Sequence, residues 1–276
     1  MKEGAISLAN STLSFYQSGT GEQKLLLFHG FGQDHCVFDS WIAALQDEYT
    51  CYAFDLYFHG SSAWHSREAL EKEDWQKIMS QFFQQEGISQ FAVAGFSMGG
   101  KFALATYELF HPQITHLILL APDGIKTSFW YSLATYPIAI RALFKSMILH
   151  PNRLYRITNV LRKLRLIDAG LLRFAESQMN TEEKRRRVYY SWVYFRHLTF
   201  HHNQLIELIN QNSVNFWLIT GKHDKVISTQ NMASFLRKIK RKQSQEINCG
   251  HTDLIHRTDP RAYLLPLTEI GDASST

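Results

Sequence analysis

Short, unbroken apolar runs alternate with segments of helical periodicity along most of this 276-residue chain. The clearest runs are KLLLFHG at 24–30, QFAVAGF at 90–96, ITHLILLAP at 114–122 and VNFWLITG at 214–221. A strand that is apolar at every position has to be covered on both of its faces, whereas a strand with one wet face alternates apolar and polar residues. The pattern therefore predicts an α/β fold, in which a mostly parallel sheet lies between two layers of helices.

Other segments fit the same arrangement. We expect an N-terminal hairpin over AISLAN and STLSFYQS, a strand over YTCYAFDL, and helices over VFDSWIAALQ, DWQKIMSQFFQQEG and MGGKFALATYELF. Beyond residue 212 the alternation resumes, with a helix over STQNMASFLRKIKR, a short strand over QEINCG and a last helix near RAYLLPLTEI.

The segment 123–212 interrupts the alternation and differs in composition. It holds fourteen Lys and Arg against six Asp and Glu, whereas the rest of the chain is net acidic, and it is rich in aromatic residues. We predict a core domain of residues 1–122 and 213–276 and a largely helical cap insertion of residues 123–212. A basic segment can bind nucleic acid, an anionic membrane surface or an acidic substrate, but solvated basic helix faces are the commoner case, and we expect that here.

Three features bear on compartment and cofactors. The cysteines, Cys36, Cys51 and Cys249, have neither the number nor the spacing of a disulfide framework or a CxxC zinc site. The N-terminus lacks the apolar core of a signal peptide, and no run approaches the ~18 apolar residues of a membrane span. We expect a cytoplasmic protein that holds no metal, binds no nucleic acid and does not insert stably into membranes.

Reactive side chains follow the predicted strands. They are His29, Asp55, Ser97, Asp123, Asp224 and His251. Chemistry in open parallel sheets collects at the carboxyl ends of the strands. A serine becomes a nucleophile when an imidazole accepts its proton and a carboxylate orients that imidazole. Because all three residue types occur at these ends, the sequence predicts catalysis by a serine nucleophile.

Ser97 lies between Gly95 and Gly99, where an apolar strand passes directly into a helix. So sharp a turn strains the backbone at its corner, and side chains two residues to either side would collide, which explains the glycines. Backbone N–H groups of the first helical turn then lie near Ser97, where they can stabilise an oxyanion. GxSxG alone is weak evidence, so the interpretation depends on its strand, its helix and the downstream Asp and His.

Five segments resemble the landmark positions of the α/β hydrolase superfamily, with Ser, Asp and His in that chain order. They are LFHGFG at 27–32, FDLYFHGSS at 54–62, GFSMGG at 95–100, GKHD at 221–224 and GH at 250–251. The resemblance covers nearly the whole chain outside the insertion. It implies an eight-stranded, mostly parallel sheet flanked by helices, with a helical cap inserted between the sixth and seventh strands.

The resemblance also implies roles for individual residues. Ser97 would be the nucleophile, His251 the general base and then general acid, and Asp224 the residue that orients His251. The backbone N–H groups of Phe31 and Met98 would form the oxyanion hole.

Two side chains have an alternative assignment. Asp123 also follows a strand, and some relatives place the acid there, so it stays open as an alternative to Asp224. His29 is expected to shape the oxyanion loop by hydrogen bonding, and a contact with substrate stays open.

The segment FDLYFHGSS is expected to be structural. Asp55 and His59 would fix this loop near the site. Relatives usually carry Pro and Gly where this chain has Tyr57 and Phe58, so the sequence leaves the conformation of the loop open.

A serine at position 97 argues against epoxide or carbon–halogen hydrolysis, for which relatives use an aspartate. The implied reaction is hydrolysis of a carboxylic ester or thioester of a small organic substrate through an acyl-enzyme, without a cofactor. The oligomeric state is left open.

Three other functions stay open. Lys101 stands where a menaquinone-pathway enzyme that eliminates pyruvate carries an arginine, although Lys does not replace Arg at a bidentate carboxylate site. Lys101 would then contact an anionic substrate; the alternative is a solvated helix residue. Hydrolases that cleave carbon–carbon bonds use the same residues, and some members of the fold only bind ligands.

Overall fold

The computed structural model describes residues 1–8, 11–125, 135–150, 152–153, 156, 159–160 and 178–265. These residues belong to two compact units. Unit 1 comprises the described parts of Met1–His65, Lys72–Lys126 and Thr199–Thr276, and unit 2 those of Ser66–Glu71 and Thr127–Leu198. The cap of residues 123–212 stays a prediction from the sequence.

Unit 1 is built on an eight-stranded sheet. Its strands are β1 (Lys2–Leu8), β2 (Ser11–Ser18), β3 (Gln23–Phe28), β4 (Tyr49–Phe54), β5 (Phe91–Phe96), β6 (Ile114–Leu120), β7 (Asn215–Gly221) and β8 (Lys242–Ile247). They lie in the order β1-β2-β4-β3-β5-β6-β7-β8. The β1–β2 and β2–β4 pairs are antiparallel and the others are parallel, which confirms the predicted sheet and its N-terminal hairpin.

The helices of unit 1 lie between these strands along the chain, except for α8, which follows the last strand. They are α1 (Asp39–Leu45), α2 (Lys72–Glu86), α3 (Met98–Phe110), α6 (His202–Gln211), α7 (Thr229–Leu236) and α8 (Arg261–Leu264), and unit 2 contributes α4 (Ile138–Leu149) and α5 (Glu182–Tyr194). Helix α8 begins in the segment predicted to be helical, and the continuation of that prediction past 265 lies outside the described residues.

The centre of the sheet is buried on both faces, as the unbroken apolar runs require. Every residue of β4 and β5 is buried. On one face, Trp75 of α2 and Phe102 of α3 pack against Phe28 of β3, with ring centroids 5.7 and 6.3 Å apart. On the other face, Trp41 of α1 packs against Tyr263 of α8. These two apolar layers hold the carboxyl ends of the central strands in place.

The edge strand β8 differs from its prediction. QEINCG was expected to form the strand, but β8 spans Lys242–Ile247 and ends before Cys249. Its first five residues are exposed, and only hydrogen bonds to β7 define it. A polar edge strand has no apolar pattern, so the sequence gives its position poorly.

In unit 2, α4 and α5 pack against each other through aromatic side chains. Phe144 lies 5.4 Å from Tyr189 and 5.8 Å from Trp192, measured between ring centroids. The buried Arg185 donates through Nε to the carbonyl of Ile148 at 3.1 Å, near the end of α4. In the part of the chain that the structure describes, we find no helix with the length and apolarity that crossing a membrane requires.

Candidate active site

Ser97 occupies a strained turn between β5 and α3. Its φ of 51° lies in the left-handed region, with ψ of −118°. Its N–H donates to the carbonyl of Leu120 at 2.9 Å, and its own carbonyl accepts from Gly100 and Asp123 at 2.9 and 2.8 Å. Because Leu120 is the last residue of β6 and Asp123 follows it in the next turn, this neighbouring strand and its loop hold the turn at Ser97 in its strained conformation.

The glycines around Ser97 are required by close approaches of the backbone. A Cβ on Gly95 would lie 2.4 Å from the carbonyl oxygen of Gly99, and a Cβ on Gly99 would lie 2.0 Å from that of Phe28. A Cβ on Gly100 would lie 2.4 Å from Cβ of Pro122. The steric reason expected from the sequence is confirmed, with the addition that Gly99 faces the end of β3.

Ser97, His251 and Asp224 form one continuous chain of hydrogen bonds. Nε2 of His251 lies 2.9 Å from Oγ of Ser97, and Nδ1 lies 2.5 Å from Oδ2 of Asp224. The Asp224 side chain is fully buried, and that of His251 is 11% exposed. Since an ionised carboxylate only accepts hydrogen bonds, Nδ1–H donates to it, and Nε2 is left to accept from the serine hydroxyl.

Backbone contacts fix the orientation of the Asp224 carboxylate. Its second oxygen, Oδ1, accepts from the N–H groups of Val226 and Ile227 at 2.7 and 2.8 Å. The N–H of His223 donates to the carbonyl of Cys249 at 3.0 Å, and so the turn after β7 is joined to the segment that leads to His251. The acid and the histidine are therefore positioned by the same pair of loops.

The segment after His251 is anchored in the core of unit 1. Leu254 and Ile255 are fully buried. The indole N–H of Trp41 lies 3.2 Å from both the carbonyl of Ile255 and Oγ1 of Thr258. This packing limits how far His251 can move from Ser97.

Asp123 has different partners. Its Oδ1 accepts from the N–H of Gly124 at 2.7 Å, and its Oδ2 lies 3.2 Å from Nζ of Lys101. Within the described residues, no contact joins Asp123 to His251. Lys101 is 5% exposed, so its ammonium group is held beside Asp123 rather than extended into solvent.

Among the residues that the structure describes, neither amide assigned to the oxyanion hole has an acceptor for its hydrogen. Met98 begins α3, so its N–H has no acceptor within the helix. Among the described residues, the N–H of Phe31 has no acceptor either. Its neighbours are held on both sides, because Gly30 N–H donates to Oε1 of Gln33 at 2.9 Å and Gly32 N–H to Nε2 of His59 at 3.0 Å.

His29 supports this loop from inside the core. Its ring is fully buried; Nδ1–H donates to the carbonyl of Gly30 at 2.7 Å, and Nε2 accepts from the N–H of Leu56 at 2.9 Å. Burial lowers the pKa of His29 to about 4, so it is neutral near pH 7. Both ring nitrogens are bonded to backbone, which leaves neither for a substrate.

Asp55 connects the oxyanion loop to the segment after β4. Its fully buried carboxylate accepts from the N–H and from Nδ1 of His35, both at 2.9 Å, and from the N–H of Ser61 at 2.8 Å. A Cβ on Gly60 would lie 1.9 Å from the carboxylate, and Gly60 has a φ of +48°. Sequence reasoning did not identify His35, because its partner lies twenty residues away and no motif includes it.

The conformation of the loop after Asp55 is now defined. Phe58 has a φ of 68°, in the left-handed region that favours glycine. Tyr57 is fully buried and packs against Trp64, with ring centroids 4.9 Å apart. The chain thus keeps a glycine-like backbone at Phe58 without the glycine.

Unit 2 contains a cavity of about 210 Å³. It is lined by Arg67, Glu68, Ala69, Arg141, Tyr189, Val193, Tyr194 and Arg196. Three guanidinium groups against one carboxylate give it a positive charge. The expectation that the substrate can be anionic stays a prediction.

With this geometry established, comparison with known proteins decides the family. The model of the alpha/beta hydrolase fold family matches residues 24–258. The chain belongs to the α/β hydrolase family. The fold inferred from the sequence motifs is confirmed, and so is the resemblance on which it was based.

Individual relatives of this α/β hydrolase are distant. A protein of Mycoplasma pneumoniae, provisionally named as an esterase/lipase, is 34% identical over 99 residues, which are 35% of this chain and 34% of that protein. The chain spans about a third of the length of the curated relatives it matches.

Solved structures show the same fold over most of the chain. A thermophilic esterase from Thermogutta terrifontis has a TM-score of 0.66 at 18% identity, covering 92% of this chain and 93% of that one. A meta-cleavage product hydrolase from Pseudomonas fluorescens has a TM-score of 0.58 at 19% identity, covering 92% of both chains. At such identities the likeness concerns the fold alone.

Proposed function

We propose that this α/β hydrolase is a serine hydrolase that cleaves a carboxylic ester or thioester of a small organic substrate. The observation that carries the proposal is the hydrogen-bond chain from Oγ of Ser97 through His251 to the buried Asp224. A relative provisionally named as an esterase/lipase supports the same class of reaction.

The first half of the reaction forms an acyl-enzyme. Nε2 of His251 takes the hydroxyl proton of Ser97 while Oγ attacks the carbonyl carbon. Asp224 stabilises the resulting imidazolium through its hydrogen bond with Nδ1. The N–H groups of Phe31 and Met98 donate to the developing oxyanion, where each such donor contributes about 10²–10³-fold to the rate. His251 then protonates the leaving alkoxide or thiolate, and the acyl group stays on Ser97.

The second half releases the acid. A water molecule enters after the alcohol or thiol has left, and His251 takes a proton from it as its oxygen attacks the acyl carbon. The tetrahedral intermediate collapses, the proton on Nε2 returns to Oγ of Ser97, and the carboxylic acid departs. Apart from this water molecule, the proposed steps use only Ser97, His251, Asp224 and the N–H groups of Phe31 and Met98.

The pyruvate-eliminating alternative depended on Lys101 as a contact for an anionic substrate. In the structure Nζ of Lys101 lies 3.2 Å from Oδ2 of Asp123, and the residue is almost completely buried. An ammonium group already placed beside a carboxylate is a poor candidate for a substrate carboxylate. This pairing favours ester hydrolysis over the elimination reaction.

A panel of p-nitrophenyl esters of graded acyl length tests the proposal. We expect turnover by the wild type, with a preference for one range of acyl lengths, and background rates with Ser97→Ala. No turnover of any ester, together with cleavage of a ring-fission product, would favour the carbon–carbon hydrolase alternative. Binding of esters without turnover of either class would favour a ligand-binding member of the fold.

The role of Lys101 is tested with neutral and anionic esters of equal acyl length. We expect Lys101→Ala to change KM for both by the same factor, because the side chain holds Asp123 rather than substrate. Lys77→Ala removes an exposed lysine of α2 and is the matched control. A rise in KM for the anionic ester alone would indicate that Lys101 contacts the substrate.

A further inference from the structure

We propose that Asp34, His35 and Cys36 form a binding site for a divalent transition metal ion, with Zn²⁺ as the reference ion. These residues lie beyond the oxyanion loop, where Asp34 caps a 3-10 helix over His35–Phe38, and they take no part in the hydrogen-bond chain of Ser97. They offer one carboxylate oxygen, one imidazole nitrogen and one sulfur, and each of these is a common ligand of Zn²⁺.

The distances between the ligand atoms suit one ion. The carboxylate oxygen of Asp34, a ring nitrogen of His35 and Sγ of Cys36 all lie within 4.8 Å of one another. Nε2 of His35 lies 3.4 Å from Sγ of Cys36. In a tetrahedral zinc site, bonds of about 2.3 Å to sulfur and about 2.0 Å to nitrogen place these two atoms ~3.5 Å apart. The sulfur and nitrogen therefore need almost no movement to share an ion.

The imidazole is already oriented for this role. Nδ1 of His35 lies 2.9 Å from Oδ1 of Asp55, whose side chain is 1% exposed. The ring also stacks on Tyr16, with centroids 3.4 Å apart and planes inclined by 15°. Zinc-bound histidines usually donate their second ring N–H to a carboxylate in this way, which fixes the tautomer and leaves the other nitrogen for the metal.

Asp34 and Cys36 complete the arrangement. Oδ1 of Asp34 accepts from the N–H of Cys36 at 3.0 Å, which holds the carboxylate beside the backbone of Cys36. Cys36 is exposed, which gives an ion access from solvent and leaves room for water as a fourth ligand. The thiol proton passes to solvent as the metal–sulfur bond forms.

Cobalt substitution provides the most direct test, because a Co²⁺–thiolate bond has a charge-transfer absorption that oxygen and nitrogen ligands lack. Metal-free, full-length protein is titrated with Co²⁺, and Zn²⁺ affinity is measured in parallel by equilibrium dialysis. We expect one Co²⁺ per chain with the thiolate band, which Zn²⁺ then displaces.

Two cysteine variants assign the band. Cys36→Ser changes an exposed side chain, and we expect it to abolish the band and to weaken Zn²⁺ binding by at least ~10-fold. Cys249→Ser is the matched control, because Cys249 is 7% exposed and lies outside the cluster. This variant should keep both the thiolate band and the Zn²⁺ affinity of the wild type. Ester turnover without added metal should be unchanged in Cys36→Ser.

A third variant tests the carboxylate behind the imidazole. Asp55→Asn should keep the thiolate band but weaken Zn²⁺ binding by about 10–100-fold. Losses of this size are typical when a carboxylate that hydrogen-bonds to a metal-bound histidine is removed. The proposal is overturned if wild-type protein gives no thiolate band, or if the band or the Zn²⁺ affinity survives unchanged in Cys36→Ser.

Discussion

Two aspartates at the carboxyl edge of the sheet differ in the side chain that each one contacts. Asp224 accepts from Nδ1 of His251, and Asp123 is paired with Nζ of Lys101. We therefore expect Asp224→Asn to lower kcat for an ester by about 10⁴-fold, since an amide can hold the histidine in the wrong tautomer. Steady-state kinetics on a p-nitrophenyl ester would measure this loss.

Asp123→Asn is the matched variant for that experiment. It keeps the size of the side chain and an acceptor for the N–H of Gly124, and it loses only the charge beside Lys101. We expect a change in kcat of less than ~10-fold. A larger loss in Asp123→Asn than in Asp224→Asn would reverse the assignment of the acid.

His29 should make stability depend on pH. Its pKa in the folded protein is about 4, below the value of ~6.5 in an unfolded chain, because burial disfavours the charged ring. Between pH 4 and pH 6.5 the imidazole of His29 is protonated in the unfolded chain but neutral in the folded protein. The contribution of His29 to stability is therefore complete above pH 6.5 and decreases as the pH falls toward 4. From pH 7.5 to pH 5 this contribution should fall by ~2 kcal/mol.

Chemical denaturation of the wild type and of His29→Gln isolates that contribution. The variant should be less stable at pH 7.5, because it loses the bonds to Gly30 and Leu56. The difference in the free energy of unfolding should narrow at pH 5, since only the wild type loses the contribution of a neutral, buried imidazole. A difference that stays constant with pH would show that His29 binds protons equally in both states.

The strand–turn–helix element of β5 and α3 depends on glycine at position 99. A Cβ there would lie 2.0 and 2.6 Å from the backbone oxygens of Phe28 and His29, which belong to the end of β3 and cannot turn aside like a side chain. We expect Gly99→Ala to cost about 3 kcal/mol of stability and to displace the N–H of Met98. Denaturation midpoints and the kcat of the folded protein would show both effects.

Gly87→Ala is the control for backbone strain alone. Gly87 has a φ of +65°, but a Cβ there would meet nothing within 4 Å. We expect Gly87→Ala to lower the free energy of unfolding by ~1 kcal/mol and to leave kcat unchanged. If Gly99→Ala proved no more harmful than Gly87→Ala, the close approach to β3 would not be what requires the glycine.

Elements with strong local patterns were predictable from the sequence. MGGKFALATYELF forms α3 over the predicted residues, and the central strands follow their apolar runs. Strand β8 begins and ends three residues earlier than the predicted strand, because a polar edge strand is defined by its hydrogen bonds to β7 and not by side-chain burial. The left-handed φ of Phe58 was not predictable, since a phenylalanine does not favour that region and no local motif indicates it.

At the scale of the whole molecule, the sheet brings together side chains that are far apart in the chain. Ser97 and His251 are 154 residues apart, yet Oγ and Nε2 lie 2.9 Å from each other. The sequence motifs were enough to nominate these two residues and Asp224, because each follows a strand. The supporting contacts of His35 with Asp55 and of Trp41 with Thr258 were missed, since they depend on packing that no motif encodes.

The proposed reaction requires that Ser97 be an activated nucleophile in the folded protein. Incubation with a fluorophosphonate probe and measurement of the intact mass tests this directly, because the probe forms a covalent bond with such a serine. We expect one adduct per chain on the wild type, mapped by peptide analysis to Ser97, and none on Ser97→Ala. An unlabelled wild type, or a Ser97→Ala variant labelled to the same extent, would contradict the account.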